Sequence, residues 1–209
     1  MNDGVVSPPI RVVVVDDHPV VREGTRSILE RAPDVEVVGE ASTAADALRL
    51  VDLRRPDVLL LDVHLPDVSG VEVARVVRSA YNGVAVVVYT GHDDAGYARA
   101  LLQLGVRAYL CKDASGDSLV GALRAVASGR TVFKGAVMQT ALSDEPDYLT
   151  ARENEVLQLI AEGRRNSEIA DQLHLRRQTV EFHIHNVFQK LGARSRTEAV
   201  AKARQRGLL

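Results

Sequence analysis

The sequence predicts an α/β domain, a five-stranded parallel sheet with helices on both faces, followed by a small all-α domain. Three observations support this. Short valine-rich runs alternate with helical patterns over residues 10–130, only helical patterns follow residue 148, and the charge changes sign between the two parts. A length of 209 residues suits two small domains. A composition of 46% hydrophobic and 26% charged residues argues against disorder and against a disulfide scaffold.

Five apolar runs are predicted as strands. Four have only four or five residues, which is too short for helices and typical of strands buried on both faces. Val35–Glu40 alternates apolar and polar residues and suits an edge strand. The other predicted strands are Val12–Val15, Val58–Leu61, Ala85–Tyr89 and Ala108–Cys111.

Helical patterns fill the intervals between these runs. Helices of about ten residues that alternate with strands indicate a parallel sheet wrapped on both faces. Glycine and proline mark the breaks between the elements. The predicted helices are Val20–Arg31, Ala44–Arg54, Val71–Ala80, Ala95–Gln103 and Ser118–Ala127.

Polar side chains follow four of the predicted strands, where ligands of such sheets bind. They are Asp16, Asp17, Asp62, Thr90 and Lys112. Clustered carboxylates repel one another unless a cation joins them, and oxygen ligands suit Mg²⁺. A metal-bound carboxylate beside a hydroxyl and an ammonium suits acceptance of a phosphoryl group. The alternative at each aspartate is a helix cap without further function.

Four segments resemble the receiver domains of bacterial response regulators, in the NarL/FixJ branch. They are Val15–Pro19, Leu61–Gly70, Val88–Asp94 and Ala108–Ala114, and the resemblance covers residues 10–130. It implies a flavodoxin-like, doubly wound sheet with strand order 2-1-3-4-5.

The resemblance also implies a role for each polar residue at the sheet edge. Asp62 would be the phosphoacceptor, and Thr90 and Lys112 would contact the phosphoryl oxygens. Tyr109 would be the aromatic switch, with an ordinary strand aromatic as the alternative. The Mg²⁺ ligands would be Asp16, Asp17, Asp62 and the backbone carbonyl of His64.

After a predicted linker at residues 131–147, the pattern becomes helical throughout. Thr150 and Glu153 fit a capping box, and the helix that follows stops at Gly163. Asn166 is predicted to cap a second helix that ends at Leu173. A third helix runs from about Arg177 to Leu191, and a fourth spans Arg196–Arg206.

Two short helices joined by a brief turn form a helix-turn-helix, whose second helix can enter the major groove of DNA. The polar face of the third helix carries side chains that can bond base edges, and neighbouring cations suit phosphates. The alternative is a solvated face on an ordinary helical bundle. The predicted DNA contacts are Arg176, Arg177, Gln178, Thr179, Glu181, His185, Gln189, Lys190, Arg194 and Arg196.

This part of the chain, residues 148–209, resembles the LuxR-type DNA-binding domain. The segments that carry the resemblance include Leu149–Glu153, Glu168–Ala170 and Lys190–Gly192. In that family the third helix is the recognition helix and the fourth commonly supports dimerisation. Arg176 stands where the family usually has serine, and Glu181 where lysine is frequent. The DNA sequence that this chain binds therefore cannot be inferred from those of the family.

The charge distribution is consistent with this division. The net charge of the chain is −2, but residues 1–130 carry −4 and residues 147–209 carry +3. An acidic first part and a basic second part indicate different partners. The single Cys111 excludes an internal disulfide and a cysteine-rich zinc site. No signal peptide or long apolar run is evident, so we expect a cytoplasmic protein.

Together these features predict a two-component response regulator that controls transcription and is not a turnover enzyme. A sensor histidine kinase, or a small phosphodonor, would phosphorylate Asp62 in the presence of Mg²⁺. The expected output is dimerisation, release of the recognition helix from the receiver, or both, which would control sequence-specific binding to double-stranded DNA. The first alternative is a regulator whose receiver serves only for phosphorylation-independent dimerisation, and another is a ligand-sensing LuxR-type regulator. A further alternative is a phosphatase with an aspartate nucleophile, although His64 stands where haloacid-dehalogenase-type phosphatases usually have a second acid.

Overall fold

The computed structural model of the chain describes residues 8–91, 95–133 and 149–209, apart from the side chains of residues 95 and 96. Contacts within the chain divide it into two compact units. Among the described helices, none is long and apolar enough to cross a membrane. Residues 134–147 of the predicted linker and 92–94 of one receiver-like segment lie outside the described residues.

The first unit is built around a parallel sheet. Its strands are Ile10–Val15 (β1), Val35–Ala41 (β2), Val58–Leu61 (β3), Ala85–Thr90 (β4), Ala108–Cys111 (β5) and Val132–Phe133 (β6). Their order across the sheet is β2-β1-β3-β4-β5-β6. The intervening helices are Pro19–Leu29 (α1), Ala44–Arg54 (α2), Gly70–Ala80 (α3), Ala95–Gln103 (α4) and Gly116–Ala127 (α5). The predicted doubly wound α/β fold is confirmed.

Burial along the strands explains why the apolar runs predicted them. Every residue of β3 is buried, as expected for a strand covered on both faces. The edge strand β2 is mostly half-buried between its ends. On one face, Leu29 of α1 and Leu119 and Leu123 of α5 form a core with strand residues such as Val14 and Leu60. This core fixes where the strands end, and therefore where the polar residues that follow them lie.

The sheet has one strand more than predicted. β6 pairs with β5 through Ala108 with Val132 and Tyr109 with Phe133, in a segment that the sequence assigned to the linker. Two residues are too few to show either alternation or a continuous apolar run, so the sequence pattern could not reveal this strand.

The second unit contains four helices among the described residues after 149. They are Ala151–Ala161 (α6), Asn166–Leu173 (α7), Arg177–Leu191 (α8) and Arg196–Gln205 (α9). The predicted capping box is present, because Glu153 N donates to Thr150 Oγ1 and Thr150 N donates to the Glu153 carboxylate. Gly192 ends α8 with φ of 65°, a left-handed conformation that glycine adopts without strain.

Two apolar clusters hold these helices together. Val156 of α6, Ile169 of α7 and Val180 of α8 meet in the first cluster. Leu191 of α8 and Ala203 of α9 belong to the second. The buried side chains place one face of α8 inward, which leaves its opposite face available at the surface.

The predicted cap of α7 is wrong. Asn166 is the first helical residue and Arg165 is the N-cap, whose backbone amide donates to Glu168 Oε2 at 2.6 Å. The side chain of Asn166 instead accepts a hydrogen bond from Arg196 at 2.7 Å. Asn166 therefore joins α7 to α9 rather than capping its own helix.

Candidate functional site

Three carboxylates meet at the carboxyl ends of β1 and β3. Asp16 and Asp17 follow β1, and Asp62 follows the neighbouring β3, where its backbone amide donates to Val15 O at 2.9 Å. One candidate ligand atom from each of these aspartates and from His18 lies within 4.8 Å of the others. Asp16 and Asp62 are each 3% exposed. Because a buried charge is costly unless it is paired, the cluster requires positive charge nearby.

Lys112 supplies such a charge from the end of β5. Its Nζ lies 2.5 Å from Asp16 Oδ2 and 2.6 Å from Asp62 Oδ2. Burial lowers the pKa of Lys112, but the charge of Asp62 and the hydrogen bonds to both carboxylates outweigh burial and raise the pKa above its ordinary value. The ammonium is therefore charged at neutral pH and can neutralise phosphoryl oxygens placed at this edge.

Backbone amides orient two of the carboxylates. His18 N donates to Asp16 Oδ1 at 2.9 Å, and His64 N donates to Asp62 Oδ1 at 3.2 Å. The His18 ring also approaches Asp17, with Nδ1 2.8 Å from Oδ1. These contacts fix the loops after β1 and β3, while the predicted role of the His64 carbonyl as a metal ligand stays a prediction.

Thr90 lies on β4, which pairs with the strand that precedes Asp62, and Tyr109 lies on β5, one strand further across the sheet. Thr90 is the last residue of β4 and pairs with Cys111 of β5, next to Lys112. Thr90 has no exposed surface, and Tyr109 is 3% exposed. Thr90 therefore lies at the sheet edge where the sequence predicts it, and Tyr109 lies within β5. The role of Thr90 in contacting phosphate and the role of Tyr109 in switching stay predictions.

Sequence reasoning missed the structural role of Gly70 at the start of α3. Its backbone amide donates to Val63 O at 2.8 Å. A Cβ at this position would lie 2.8 Å from Val63 Cα and would also collide with the backbone oxygen of Asp62. The helix therefore approaches the loop that follows Asp62 as closely as glycine permits. A glycine that begins a helix was the available signal, but the contact itself depends on the tertiary structure.

Asp67 is a second residue whose role was missed. Its carboxylate accepts hydrogen bonds from Ala44 N at 2.9 Å and Ala45 N at 3.3 Å, and so covers the N-terminus of α2. Burial raises the pKa of Asp67, but these backbone hydrogen bonds outweigh it and hold the pKa below the ordinary 3.8. Asp67 thus fixes the loop that follows Asp62 against α2.

The donors at the cluster suit a hard divalent cation. Carboxylate oxygens from Asp16, Asp17 and Asp62 are the ligand type that Mg²⁺ prefers, and Mg²⁺ usually keeps several waters. Asp17 is more exposed than its two neighbours, with 15% of its side chain accessible, so the cluster is open on that side. The residues present therefore fit the group that the sequence predicts.

A second candidate surface lies on α8. Its exposed residues recur at every fourth position as Arg177, Glu181, His185 and Gln189, which places them in one row along the helix. Among the other predicted contacts, Arg194 is exposed and Gln178 and Arg176 are half-buried. Thr179 differs, because it is 3% exposed and does not share the exposed row.

Two of the predicted DNA-contacting cations also bind groups within the helical unit. Lys190 Nζ lies 2.5 Å from Glu153 Oε2, and Glu153 has no exposed surface. Arg196 donates to Asn166 Oδ1 at 2.7 Å and to the backbone oxygen of Arg164 at 2.6 Å. Both cations therefore have a structural role, whatever they contact beyond it.

Comparison with known families matches both units. The family described as response regulator receiver domain matches residues 12–124. The family described as bacterial regulatory proteins, luxR family, matches residues 147–203. Together these matches cover most of the chain.

Relatives share this arrangement over nearly their whole length. A probable transcriptional regulatory protein NarL from Mycobacterium tuberculosis is 38% identical, and the alignment covers 96% of each chain. The nitrate/nitrite response regulator protein NarP from Escherichia coli is 37% identical, with 95% of this chain and 97% of NarP covered. A solved structure of two RcsB dimers bound to two parallel DNAs is 25% identical, with a TM-score of 0.62, and covers 94% of this chain and 98% of its own.

Proposed function

The chain belongs to the two-component response regulators that join a receiver domain to a LuxR-type DNA-binding domain, and from this premise we propose the bounds of its domains and the roles of its residues. Residues 10–130 form the receiver, 131–147 the linker and 148–209 the DNA-binding domain. A sensor histidine kinase phosphorylates Asp62, and phosphorylation controls dimerisation and sequence-specific DNA binding. The single observation that supports the phosphoacceptor best is Lys112 Nζ, which lies 2.5–2.6 Å from both Asp16 and Asp62.

The proposed transfer uses groups of this chain that are already in place. A carboxylate oxygen of Asp62 attacks phosphorus, the bond from phosphorus to the donor's imidazole nitrogen breaks, and that nitrogen keeps the electron pair. Lys112 neutralises the phosphoryl oxygens and Thr90 donates its hydroxyl to them. Asp16, Asp17, Asp62 and the His64 carbonyl would hold Mg²⁺, which would supply further positive charge to stabilise the phosphoryl oxygens.

A phosphorylation assay tests the acceptor. The full-length protein is incubated with Mg²⁺ and acetyl phosphate, and the intact mass is followed for the addition of one phosphoryl group. We expect the wild type to be modified and Asp62→Asn to remain unmodified. The matched control is Asp52→Asn, an exposed carboxylate on α2 that pairs with Arg55, which should be modified like the wild type. Equal modification of Asp62→Asn would overturn the assignment.

The proposed output begins at the same sheet edge. A phosphoryl group on Asp62 draws Thr90 towards it and lets Tyr109 change position, which alters the surface formed by β4, β5 and their connections. Two phosphorylated copies then associate and place their recognition helices on two half-sites about one DNA turn apart. The solved structure of RcsB dimers bound to DNA, which matches 94% of this chain, supports binding to DNA as a dimer.

The proposed DNA contacts follow from exposure. Arg177, His185 and Gln189 contact the bases, Glu181 lies in the same exposed row, and Arg176 and Arg194 contact phosphates. Gln178 takes part from the edge of the row, while Thr179 serves in packing. Lys190 and Arg196 are proposed as weaker phosphate contacts because their side chains also bind groups in the helical unit.

Salt dependence of binding distinguishes these classes of cation. The logarithm of the binding constant should fall linearly with the logarithm of salt concentration, because bound protein releases counterions from DNA. Arg194→Gln should make this slope shallower by about 1 per bound copy. Arg196→Gln should change the slope less and lower the unfolding temperature instead. An equal change of the slope in both variants would contradict this division of the cations into stronger and weaker phosphate contacts.

A further inference from the structure

The recognition helix carries an ion pair along its exposed row. Arg177 Nε donates to Glu181 Oε1 at 2.9 Å, one helical turn further along. Both side chains are largely accessible, at 71% for Arg177 and 48% for Glu181. The buried residues of α8 include Val180, Ile184 and Val187. The pair therefore occupies the face that a major groove would meet.

Only one edge of the Arg177 guanidinium is used by the carboxylate. Among the described residues, none forms a hydrogen bond with Nη1 or Nη2 of Arg177. A guanidinium presents its nitrogen atoms in a rigid planar fork, and two of its N–H groups match O6 and N7 of guanine. Arg177 is also the first residue of α8, and the N-terminal residues of a recognition helix contact base edges.

Neither protein stability nor attraction to DNA explains why a carboxylate stands at position 181 on this exposed row. An exposed ion pair between residues four apart contributes little to stability. A negative charge on a surface that meets phosphates opposes binding. Holding the guanidinium plane has a compensating benefit, because a side chain fixed in its bound conformation loses less entropy on binding.

We propose that Arg177 reads one guanine through Nη1 and Nη2, and that Glu181 is a positioning residue that holds Arg177 through Nε. This inference rests on the DNA binding proposed above and specifies which base the row recognises. Glu181 then acts through Arg177 and touches no base. The competing assignment has Glu181 accept a hydrogen bond from the amino group of cytosine, which would place its effect at a different base pair from that of Arg177.

The test measures base preference, which a purely structural role would not move. Phosphorylated full-length wild type is used to select a binding sequence from random duplexes. Binding constants are then measured for duplexes that carry each of the four base pairs at every position of one half-site. The same set is measured for Arg177→Ala, Arg177→Lys, Glu181→Ala, Glu181→Gln and the double variant of both residues to alanine. Far-ultraviolet circular dichroism verifies that each variant is folded.

We expect Arg177→Ala to lower the preference for guanine at one position by about 5- to 140-fold. Arg177→Lys should lose most of this preference while keeping the salt dependence, because it retains the charge but lacks the fork. Glu181→Ala should lower the same preference by about 2- to 10-fold, and should have no effect on it once Arg177 is alanine. Glu181→Gln should retain part of the preference because its amide oxygen still accepts a hydrogen bond.

Three results would overturn the inference alone. The first is an effect of Glu181→Ala at a base pair other than the one that Arg177→Ala affects. The second is an additive effect of the two substitutions in the double variant. The third is a gain in affinity of Glu181→Ala for all duplexes alike, with the guanine preference unchanged. Glu155→Ala is the matched control, because Glu155 is an exposed glutamate that pairs with Arg152 at 2.6 Å on α6, and it should leave base preference unchanged. A wild type that selects no sequence would refute the proposed function itself.

Discussion

Replacing Lys190 with methionine removes the cation paired with a glutamate that has no exposed surface. Glu153 Oε2 receives Lys190 Nζ at 2.5 Å and the backbone amide of Thr150 at 2.8 Å. The Lys190 side chain is itself only 15% exposed. Removing one partner of a buried ion pair costs about 3–5 kcal/mol, because the remaining charge is left without compensation. We expect Lys190→Met to destabilise the helical unit by an amount in this range.

Hydrogen exchange read by mass spectrometry measures this loss within the full-length protein. Peptides from α6 and α8 report on the helical unit, while peptides from β1 and β3 report on the sheet. A loss of 3–5 kcal/mol corresponds to exchange that is about 140- to 3700-fold faster in α6 and α8. Exchange in the sheet should remain unchanged.

Two further variants test whether the unpaired charge of Glu153 causes this loss of stability. In Glu153→Gln combined with Lys190→Met, no buried charge remains and the glutamine can still accept the Thr150 amide, so most of the lost stability should return. Arg164→Met, which breaks an exposed pair with Glu162 at 3.4 Å, should cost no more than about 1 kcal/mol. The reasoning fails if Lys190→Met exchanges like the wild type, or if the double variant is as unstable as the single one.

Two other substitutions test the packing of the loop that follows Asp62. Asp67→Ala should cost about 0.5–2 kcal/mol at pH 7, because the carboxylate covers the first two backbone amides of α2. Since the pKa of Asp67 is lowered on folding, this contribution should be present above pH 3.8 and be lost as the pH falls below that value. Urea unfolding of the wild type and Asp67→Ala at several pH values measures the contribution. A difference in unfolding free energy that stays constant at all pH values would contradict this prediction. Gly70→Ala should cost about 1–3 kcal/mol and slow phosphorylation, because its Cβ would lie 2.8 Å from Val63 Cα. Gly24→Ala, in α1 with nothing within 4 Å of its Cβ, should instead stabilise the protein by about 0.5–1 kcal/mol, and equal behaviour of the two glycine variants would contradict the packing at Gly70.

The elements that sequence patterns predicted best are those whose cause is local. Val58–Leu61 and Ala108–Cys111 were predicted with the bounds that the structure has, because a short continuous apolar run reports burial on both faces. The meeting of Asp16, Asp62 and Lys112 could be predicted as well, since the carboxyl ends of parallel strands share one edge of the sheet.

The features that sequence reasoning missed depend on partners far away in the chain. Asn166 has the residue type of a helix cap, but its side chain is bound by Arg196, which lies thirty residues later. Lys190 reads as a cation for phosphates, yet its ammonium pairs with Glu153 near the start of the domain. Neither contact can be recognised from the local sequence pattern. Helical periodicity shows which face of a helix is buried, but it does not show which residue covers that face.

DNA affinity measured with and without phosphorylation tests the central claim most directly. The wild type and Asp62→Asn are each titrated with a selected duplex, before and after incubation with Mg²⁺ and acetyl phosphate. If Asp62 is the acceptor that controls the DNA-binding domain, the affinity of the wild type rises by about tenfold or more, in the range of ordinary coupling free energies, and that of Asp62→Asn does not change. An equal affinity for phosphorylated and unphosphorylated wild type, or the same rise in Asp62→Asn, would contradict the account.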